Sequence, residues 1–423
     1  MKKTLFAVAA VTAFAGAAQA QSSVTVYGLI DYGYQSGYQR NATGQGTAAT
    51  VTNQNTSGFA GNGESTSRLG FRGNEDLGGG ASAFFTIETA LNTDIGGSFS
   101  TSNSGNRQSF VGLGKKGLGT ASIGVQYTPV HEAASVTDAG GLNNVNGNVI
   151  YDRTGGYGAA TGQTTAGSGL TAPSTNASGM GTNTSYTVRS NNALVLKSEN
   201  ISGFTAKALL VQGGKDSNGG NLNGVAVQST TTTVDNSGWG LGADYTWKKL
   251  YVTAAYQSFY NQTLGGGAFA PGYNGAVTTP GVNSRDNQQY YAATYDFGVV
   301  KAFAQYVNRK VTNIVTSTNY VSRSAQQIGV RAPITPAVQV WASAGTGSIN
   351  ANGSNYTPSK FNGWQLGTDY ALSKRTNLYA IYGQTATSGN QQQVYGANTA
   401  QVANQAQNSY NASSYALGVR HTF

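Results

Sequence analysis

Apolar and polar residues alternate with a period of two along most of this chain. Val24, Val26, Gly28, Ile30 and Tyr32 fall on one face, and Thr25, Tyr27, Leu29 and Asp31 on the other, as in a strand with one apolar side. Leu69 and Phe71 oppose Arg68, Gly70 and Arg72; Ala83, Phe85 and Ile87 oppose Ser82, Phe84, Thr86 and Glu88. Later stretches repeat the pattern. Leu241, Ala243, Tyr245 and Trp247 oppose Gly240, Gly242, Asp244 and Thr246; Val300, Ala302, Ala304 and Tyr306 oppose Lys301, Phe303 and Gln305; Ile328 and Val330 oppose Gln327, Gly329 and Arg331.

This periodicity predicts sixteen strands, at about 24–34, 65–73, 80–90, 107–114, 119–127, 189–197, 203–212, 238–247, 249–260, 288–297, 299–310, 322–332, 337–346, 362–370, 376–386 and 412–423. The stretch from the first strand to Ser65 reads as a polar, glycine-rich connection, and Asn74 to Gly79 as a tight turn. Short connections, such as Lys115 to Leu118, Lys248-Lys249, Gly298 and Leu372 to Arg375, alternate with long ones. The connection from Thr128 to Val188 stands apart, being long and without regular alternation, which in an otherwise regular chain marks a disordered or a functional segment. Its apolar contacts with the wall are expected to hold its inner portion, with Gly155 to Gly181 lying outward and mobile.

The spacing of tryptophans separates an open barrel from a soluble sandwich. Trp239 and Trp247 lie on one face of one strand, about 26 Å apart along it, or about 19 Å along the normal of a membrane crossed at a tilt of about 45°. Two aromatic girdles have about that separation; Trp364 with Tyr370, again on one face of one strand, repeats the arrangement. Pro333 and Pro336 fall at a turn and Pro129, Pro173, Pro271, Pro280 and Pro358 in connections, so none interrupts a strand interior. The expected fold is all-β, an antiparallel transmembrane barrel.

Composition agrees. Hydrophobic residues are 39% of 423 and mean hydropathy is −0.29, yet charged residues are only 10%; apolar side chains are dispersed singly, as in membrane barrels. There is no cysteine, hence neither disulfide nor thiolate metal site. Residues 1–20 have the form of a cleaved secretory signal: Lys2 and Lys3, an apolar run from Leu5 to Ala15, and Ala18-Gln19-Ala20. The barrel domain is then 21–423. Without Lys2 and Lys3 the 25 basic residues become 23 against 16 acidic ones, a net of +7. Beyond the signal no apolar run is long enough for a transmembrane helix.

Several blocks carry a resemblance: Val24-Thr25-Val26-Tyr27-Gly28-Leu29-Ile30-Asp31, Ser67-Arg68-Leu69-Gly70-Phe71-Arg72-Gly73-Asn74-Glu75-Asp76-Leu77-Gly78, Asn106-Arg107-Gln108-Ser109-Phe110-Val111-Gly112-Leu113, Gln126-Tyr127-Thr128-Pro129, Lys374-Arg375-Thr376-Asn377-Leu378-Tyr379, and the closing Tyr415 to Phe423. Together they resemble the general porins of Gram-negative bacteria, in the beta-proteobacterial branch. The resemblance implies a 16-stranded barrel in the outer membrane, three per assembly, with the third long loop, 128–188, folded into the lumen. It implies passive diffusion of small hydrophilic solutes and ions, and contacts with outer-membrane lipid and lipopolysaccharide. It implies no cofactor, metal or nucleic-acid partner, and a terminal Phe423 read by the barrel-assembly machinery. A substrate-specific uptake channel or a surface adhesin on the same barrel is the alternative.

Such a pore needs a water-filled path, a constriction and fixed charges. Face assignment gives the lumen Arg68, Arg72, Arg189, Lys197, Lys207, Lys301, Arg331 and Arg420 against Asp31, Glu88, Asp244, Asp296 and Asp369, a basic excess that favours anions mildly. In similar porins the constriction arginines sit in the blocks matching Arg68, Arg107 and Arg189, and a lumenal glutamate at Glu88. Placing Phe110 outward puts Arg107 inward together with Val111 and Leu113, an apolar pair that the folded loop would have to cover. Glu132, Asp138 and Asp152 are the loop's acids, and Glu132 or Asp138 is expected to face the arginines. An enzyme is not expected: His131 and His421 have no nucleophile at a recognisable spacing, no His-Glu-x-x-His occurs, and neither Gly78-Gly79-Gly80 nor Gly265-Gly266-Gly267 precedes a lysine.

Overall fold

The computed structural model describes residues 23–43, 50–91, 106–152, 185–213, 233–264, 282–313, 320–351, 359–391 and 407–423. The expected signal, 1–20, and the stretch Gly155 to Gly181 lie outside the described residues.

Seventeen strand segments form one closed antiparallel sheet: β1 (Ser23–Thr43), β2 (Thr50–Gly61), β3 (Arg68–Gly78), β4 (Ala81–Ala90), β5 (Asn106–Lys115), β6 (Gly119–Tyr127), β7 (Arg189–Ser198), β8 (Phe204–Gln212), β9 (Thr233–Trp247), β10 (Leu250–Leu264), β11 (Val282–Asp296), β12 (Lys301–Asn313), β13 (Tyr320–Pro333), β14 (Val338–Ala351), β15 (Ser359–Ala371), β16 (Thr376–Gln391) and β17 (Gln407–Thr422). β1 pairs with β17 from Leu29↔Thr422 to Ala42↔Ser409 and so closes the barrel. Its upper half pairs with β2 and its lower half with β3. β2 and β3 are thus two parts of one stave, interrupted between Gly61 and Arg68, and the barrel has sixteen staves.

One face of the staves is apolar and exposed, with Val24, Trp239, Leu241, Trp247, Ile328, Trp364 and Leu366 among its members. The other buries polar side chains, Gln257, Gln288 and Gln365 completely. A water-soluble sandwich would do the reverse; a closed barrel with lipid outside requires this arrangement.

Strands run further than alternation shows at their long-loop ends. β2 occupies a stretch that reads as connection, and β1 continues to Thr43 against it. A ladder needs only backbone groups, so pairing persists where both faces meet water and no apolar period remains. At the opposite end, Asn74 to Gly78 belongs to β3, and the turn is Gly79-Gly80, with φ of 59° and 75°. Two consecutive left-handed residues suit the twist of a two-residue hairpin.

A second correction concerns β5. The β4–β5 register shifts between Glu88 and Thr89, leaving Arg107 as an extra residue, and such a bulge reverses the parity of the residues beyond it. Val111 and Leu113 therefore lie on the exposed apolar face, 62% and 61% accessible. Phe110 turns to the other side and meets Phe84 edge-on at 6.3 Å. Val111 and Leu113 therefore need no cover from the connection.

After β6 comes a helix that alternation does not show, α1 (Pro129–Thr137). Thr128 caps it by accepting from the His131 amide at 3.3 Å, and Pro129 supplies a first-turn residue with a preset φ. The cap, proline and Glu132 of the first turn were its sequence signal. Val130, Ala133 and Ala134 of α1, with Val149, Ile150 and Tyr186, pack on Ala255, Tyr290, Ala292, Val307, Ala325, Ile349 and Phe361 of the staves.

Candidate functional site

Three arginines come together on the polar face. Arg68 of β3 and Arg107 of β5 meet Glu88 of β4, and Arg107 and Arg189 of β7 meet Tyr127 of β6. Arg107 donates to Glu88 Oε1 at 2.6 Å and to the Tyr127 hydroxyl at 2.8 Å. Arg68 Nη1 lies 3.9 Å from Glu88 Oε1, and its Nη2 donates to Ser65 Oγ at 2.8 Å. Glu88, 4% exposed, also accepts from the Tyr27 hydroxyl at 3.2 Å. The Arg189 guanidinium stands 6.0 Å from the Tyr127 ring centroid. The bulge in β5 aims Arg107 at Glu88, and a matching shift between Gly124 and Gln126 in β6–β7 precedes the Tyr127↔Arg189 pair. Two of the three cations, Arg68 and Arg107, thus share one carboxylate, and the third, Arg189, stands against Tyr127.

The segment 138–151 follows α1 along the polar face of β13 to β17. Its backbone is received by wall side chains: Val149 N donates to Gln327 Oε1 at 3.1 Å, Gly147 N to Thr385 Oγ1 at 2.9 Å and Asn146 N to Ser414 Oγ at 3.1 Å. Gln365 donates to the carbonyls of Val145 and Asn146 and exchanges hydrogen bonds with Asn143. Asn144 N reaches Gly63 O, in the break between β2 and β3, at 3.1 Å. At Gly345, Gly363 and Gly383 a Cβ would fall 2.3, 2.4 and 1.9 Å from Val149, Gly147 and Asn146 respectively. The returning limb is tied in at Thr187, whose amide donates to Gln288 Oε1 at 2.7 Å and whose carbonyl accepts from Thr128 Oγ1 at 2.6 Å.

A family profile described as Gram-negative porin matches residues 7–390. The chain belongs to that family. The porin is 27% identical over 416 residues to an outer membrane porin protein of Bordetella pertussis, covering 91% of this chain and 94% of the relative. That similarity agrees with the beta-proteobacterial branch indicated by the motifs. In fold it is similar to an anion-selective porin from Comamonas acidovorans, with a TM-score of 0.61 at 21% identity over 95% of this chain and all of that one. It is also similar to the trimer form of an outer membrane protein of Vibrio cholerae, with a TM-score of 0.55 at 15% identity, covering 95% and 99%. The porin is therefore an outer-membrane diffusion channel.

Other expected site residues take varied positions. Glu132, on α1, pairs with Lys207 at 3.0 Å, and Lys207 pairs with Asp244 at 2.8 Å. Asp138 is buried and accepts from Leu142 N, Asn148 Nδ2 and Gln327 Nε2 at 2.8, 3.0 and 2.9 Å; burial pushes its carboxyl above the ordinary carboxylate range, against the pull of those donors. Asp31 is fully buried, accepting from the amides of Glu64 and Ser65 and from the Tyr379 hydroxyl, so it braces the β2–β3 break. Arg331 donates to Ala139 O and Gln339 Oε1. Arg72 is exposed beside the Tyr27 ring and Lys301 lies 5.2 Å from that of Phe303. Phe423 exchanges two backbone hydrogen bonds with Gly28 and leaves its side chain exposed.

Sequence reasoning missed Arg309, Arg323 and Glu64. Arg309 holds the buried Asp286 through Nε and Nη2, the latter at 2.7 Å. Strand parity would have found two of them, because Arg309 shares a face with Lys301 and Arg323 with Arg331. Glu64, paired with Arg420 at 3.1 Å, stands in the interruption between β2 and β3, where alternation carries no information.

Proposed function

We propose that the porin passes small hydrophilic solutes with a mild preference for anions, and that residues 128–152 narrow the lumen opposite Arg68, Arg107 and Arg189. The observation that carries this reading is the excess of cations around one carboxylate: three guanidinium groups gather on the alternate staves β3, β5 and β7, two of them pairing with Glu88 and the third standing at Tyr127, while Glu132 is engaged by Lys207. A fixed positive cluster beside water raises the local concentration of anions and repels cations. The narrowing is supported by continuity of contact. Between residues 129 and 147 the segment meets staves from β8 round to β17 and the break beyond them, and a short stretch of chain reaches so many staves from inside a barrel, not from outside it.

The wider assembly accords with the same reading. The porin works as a homotrimer, residues 1–20 are a cleaved export signal, Phe423 is the assembly signal, and the apolar face meets outer-membrane lipid and lipopolysaccharide. No catalytic step is assigned to it. Planar-bilayer recording tests the reading: the zero-current potential in a KCl gradient should have the sign of anion preference, and Arg68→Ala with Arg189→Ala should reduce it. A cation-preferring channel, or a double variant unchanged in selectivity and conductance, would refute it. Detergent-extracted protein that sediments only as a monomer before heating would refute the trimer.

A further inference from the structure

The polar face of β13 alternates long and short side chains: Arg323, Ala325, Gln327, Gly329 and Arg331. All three long ones grip residues 138–152. Arg331 Nε donates to Ala139 O at 2.9 Å; Gln327 donates to Asp138 Oδ1 at 2.9 Å and accepts from Val149 N at 3.1 Å. Arg323 Nη2 donates to Val149 O at 2.7 Å and lies 3.7 Å from Asp152 Oδ2, while Nη1 donates to Ser185 Oγ at 2.7 Å. Its guanidinium stands 4.3 Å from the Phe361 ring centroid. Val149 is on the outgoing limb of the 128–188 connection and Ser185 on the returning one, so a single side chain joins the two.

Arg323 is only 5% exposed. The Asp152 carboxylate 3.7 Å away offsets its charge toward an ion in the path, and its partners, two of them on opposite limbs, account for its burial. Reaching both limbs while lying on an aromatic face uses the planar fork of a guanidinium; an ammonium has the charge without that geometry.

We propose that Arg323 is a positioning residue of the channel: it bolts both limbs of the 128–188 connection to β13 and is not a charge of the ion path. The inference rests on the reading of residues 128–152 as the constriction. β13 is then the rack that sets where the constriction stands, with Gly329 leaving room for it; a Cβ there would fall 2.7 Å from that of Ala139.

The test uses the full-length trimer in planar bilayers, with Arg323→Met and Arg323→Lys. Both variants should lose the steady open current, showing flicker and closing at voltages that the unaltered channel tolerates, and both should keep its zero-current potential. The chain has no cysteine, so Ala139→Cys with Gly329→Cys makes an unambiguous tether after a small adjustment toward the Cβ separation of a disulfide, about 3.5–4.5 Å. Oxidised, the tether should restore steady current to Arg323→Met; reduced, it should not. Steady current in Arg323→Met with a shifted zero-current potential, or recovery in Arg323→Lys alone, would make Arg323 a charge of the path and overturn the proposal. Flicker that the oxidised tether leaves unchanged would overturn it as well. Failure of the underlying reading looks different: liposome swelling would give one solute-size limit whether the connection is bolted, released or tethered, and Arg323 would then position nothing that matters for passage.

Discussion

Gly383 offers a direct perturbation of the proposed constriction. A Cβ at that position would lie 1.9 Å from Asn146 O, against a closest tolerable approach of 3.0 Å. The opposing atom is backbone, so in Gly383→Ala it must retreat by at least 1.1 Å, from 1.9 to 3.0 Å. The Gln365 donation to that oxygen, now 2.9 Å, would stretch to about 4 Å and be lost, and the neighbouring Asn146 N donation to Ser414 Oγ at 3.1 Å would be disturbed with it. At about 1 kcal/mol net for each hydrogen bond, and more where a buried group is left unpaired, the seat of the segment weakens by roughly 2–3 kcal/mol. The ratio of seated to displaced segment then falls roughly 30- to 150-fold. The β15–β16 ladder keeps its backbone partners, so the barrel itself should fold. Gly58→Ala is the control, because a Cβ there meets nothing within 4 Å. Single-channel recording should show unstable conductance in Gly383→Ala and steady conductance in Gly58→Ala, with both variants migrating like the unaltered protein before and after heating. Steady conductance in Gly383→Ala, indistinguishable from the control, would refute the reasoning.

Three further outcomes are expected. Glu88→Gln removes the carboxylate shared by Arg68 and Arg107 and should increase anion preference in the zero-current potential; a decrease would place Glu88 outside the path. Arg309→Leu strands the carboxylate of Asp286, which is completely buried, at a cost of about 3–5 kcal/mol, and should lower the temperature at which the folded barrel is lost on semi-native gels; an unchanged temperature would contradict the pairing. Thr128→Ala removes the helix cap and the bond to Thr187 O, about 1 kcal/mol for the cap alone, and should increase current noise while leaving selectivity unaltered.

The residues of the site were legible to different depths. Arg68 and Glu88 follow from parity within their strands. Arg107 was placed on the correct side by resemblance while the parity drawn from Phe110 was wrong for Val111 and Leu113, since a bulge adds one residue without changing composition. The expected partners of the loop acids could not be read at all: Glu132 meets Lys207, and Asp138 meets Gln327, across long intervals of chain.

By itself the sequence determined where the staves cross the membrane and most of the ends joined by tight turns; the turn after β3 and the facing of Val111 and Leu113 in β5 were the exceptions. Within that belt lipid meets one face and polar surroundings the other, and each residue type records its own side. Tertiary structure decided the extensions beyond the belt, the interruption between β2 and β3, the helix after Thr128 and the seat of 138–151 on β13 to β17. These depend on backbone pairing and on side chains meeting across the barrel, and period-two alternation encodes neither.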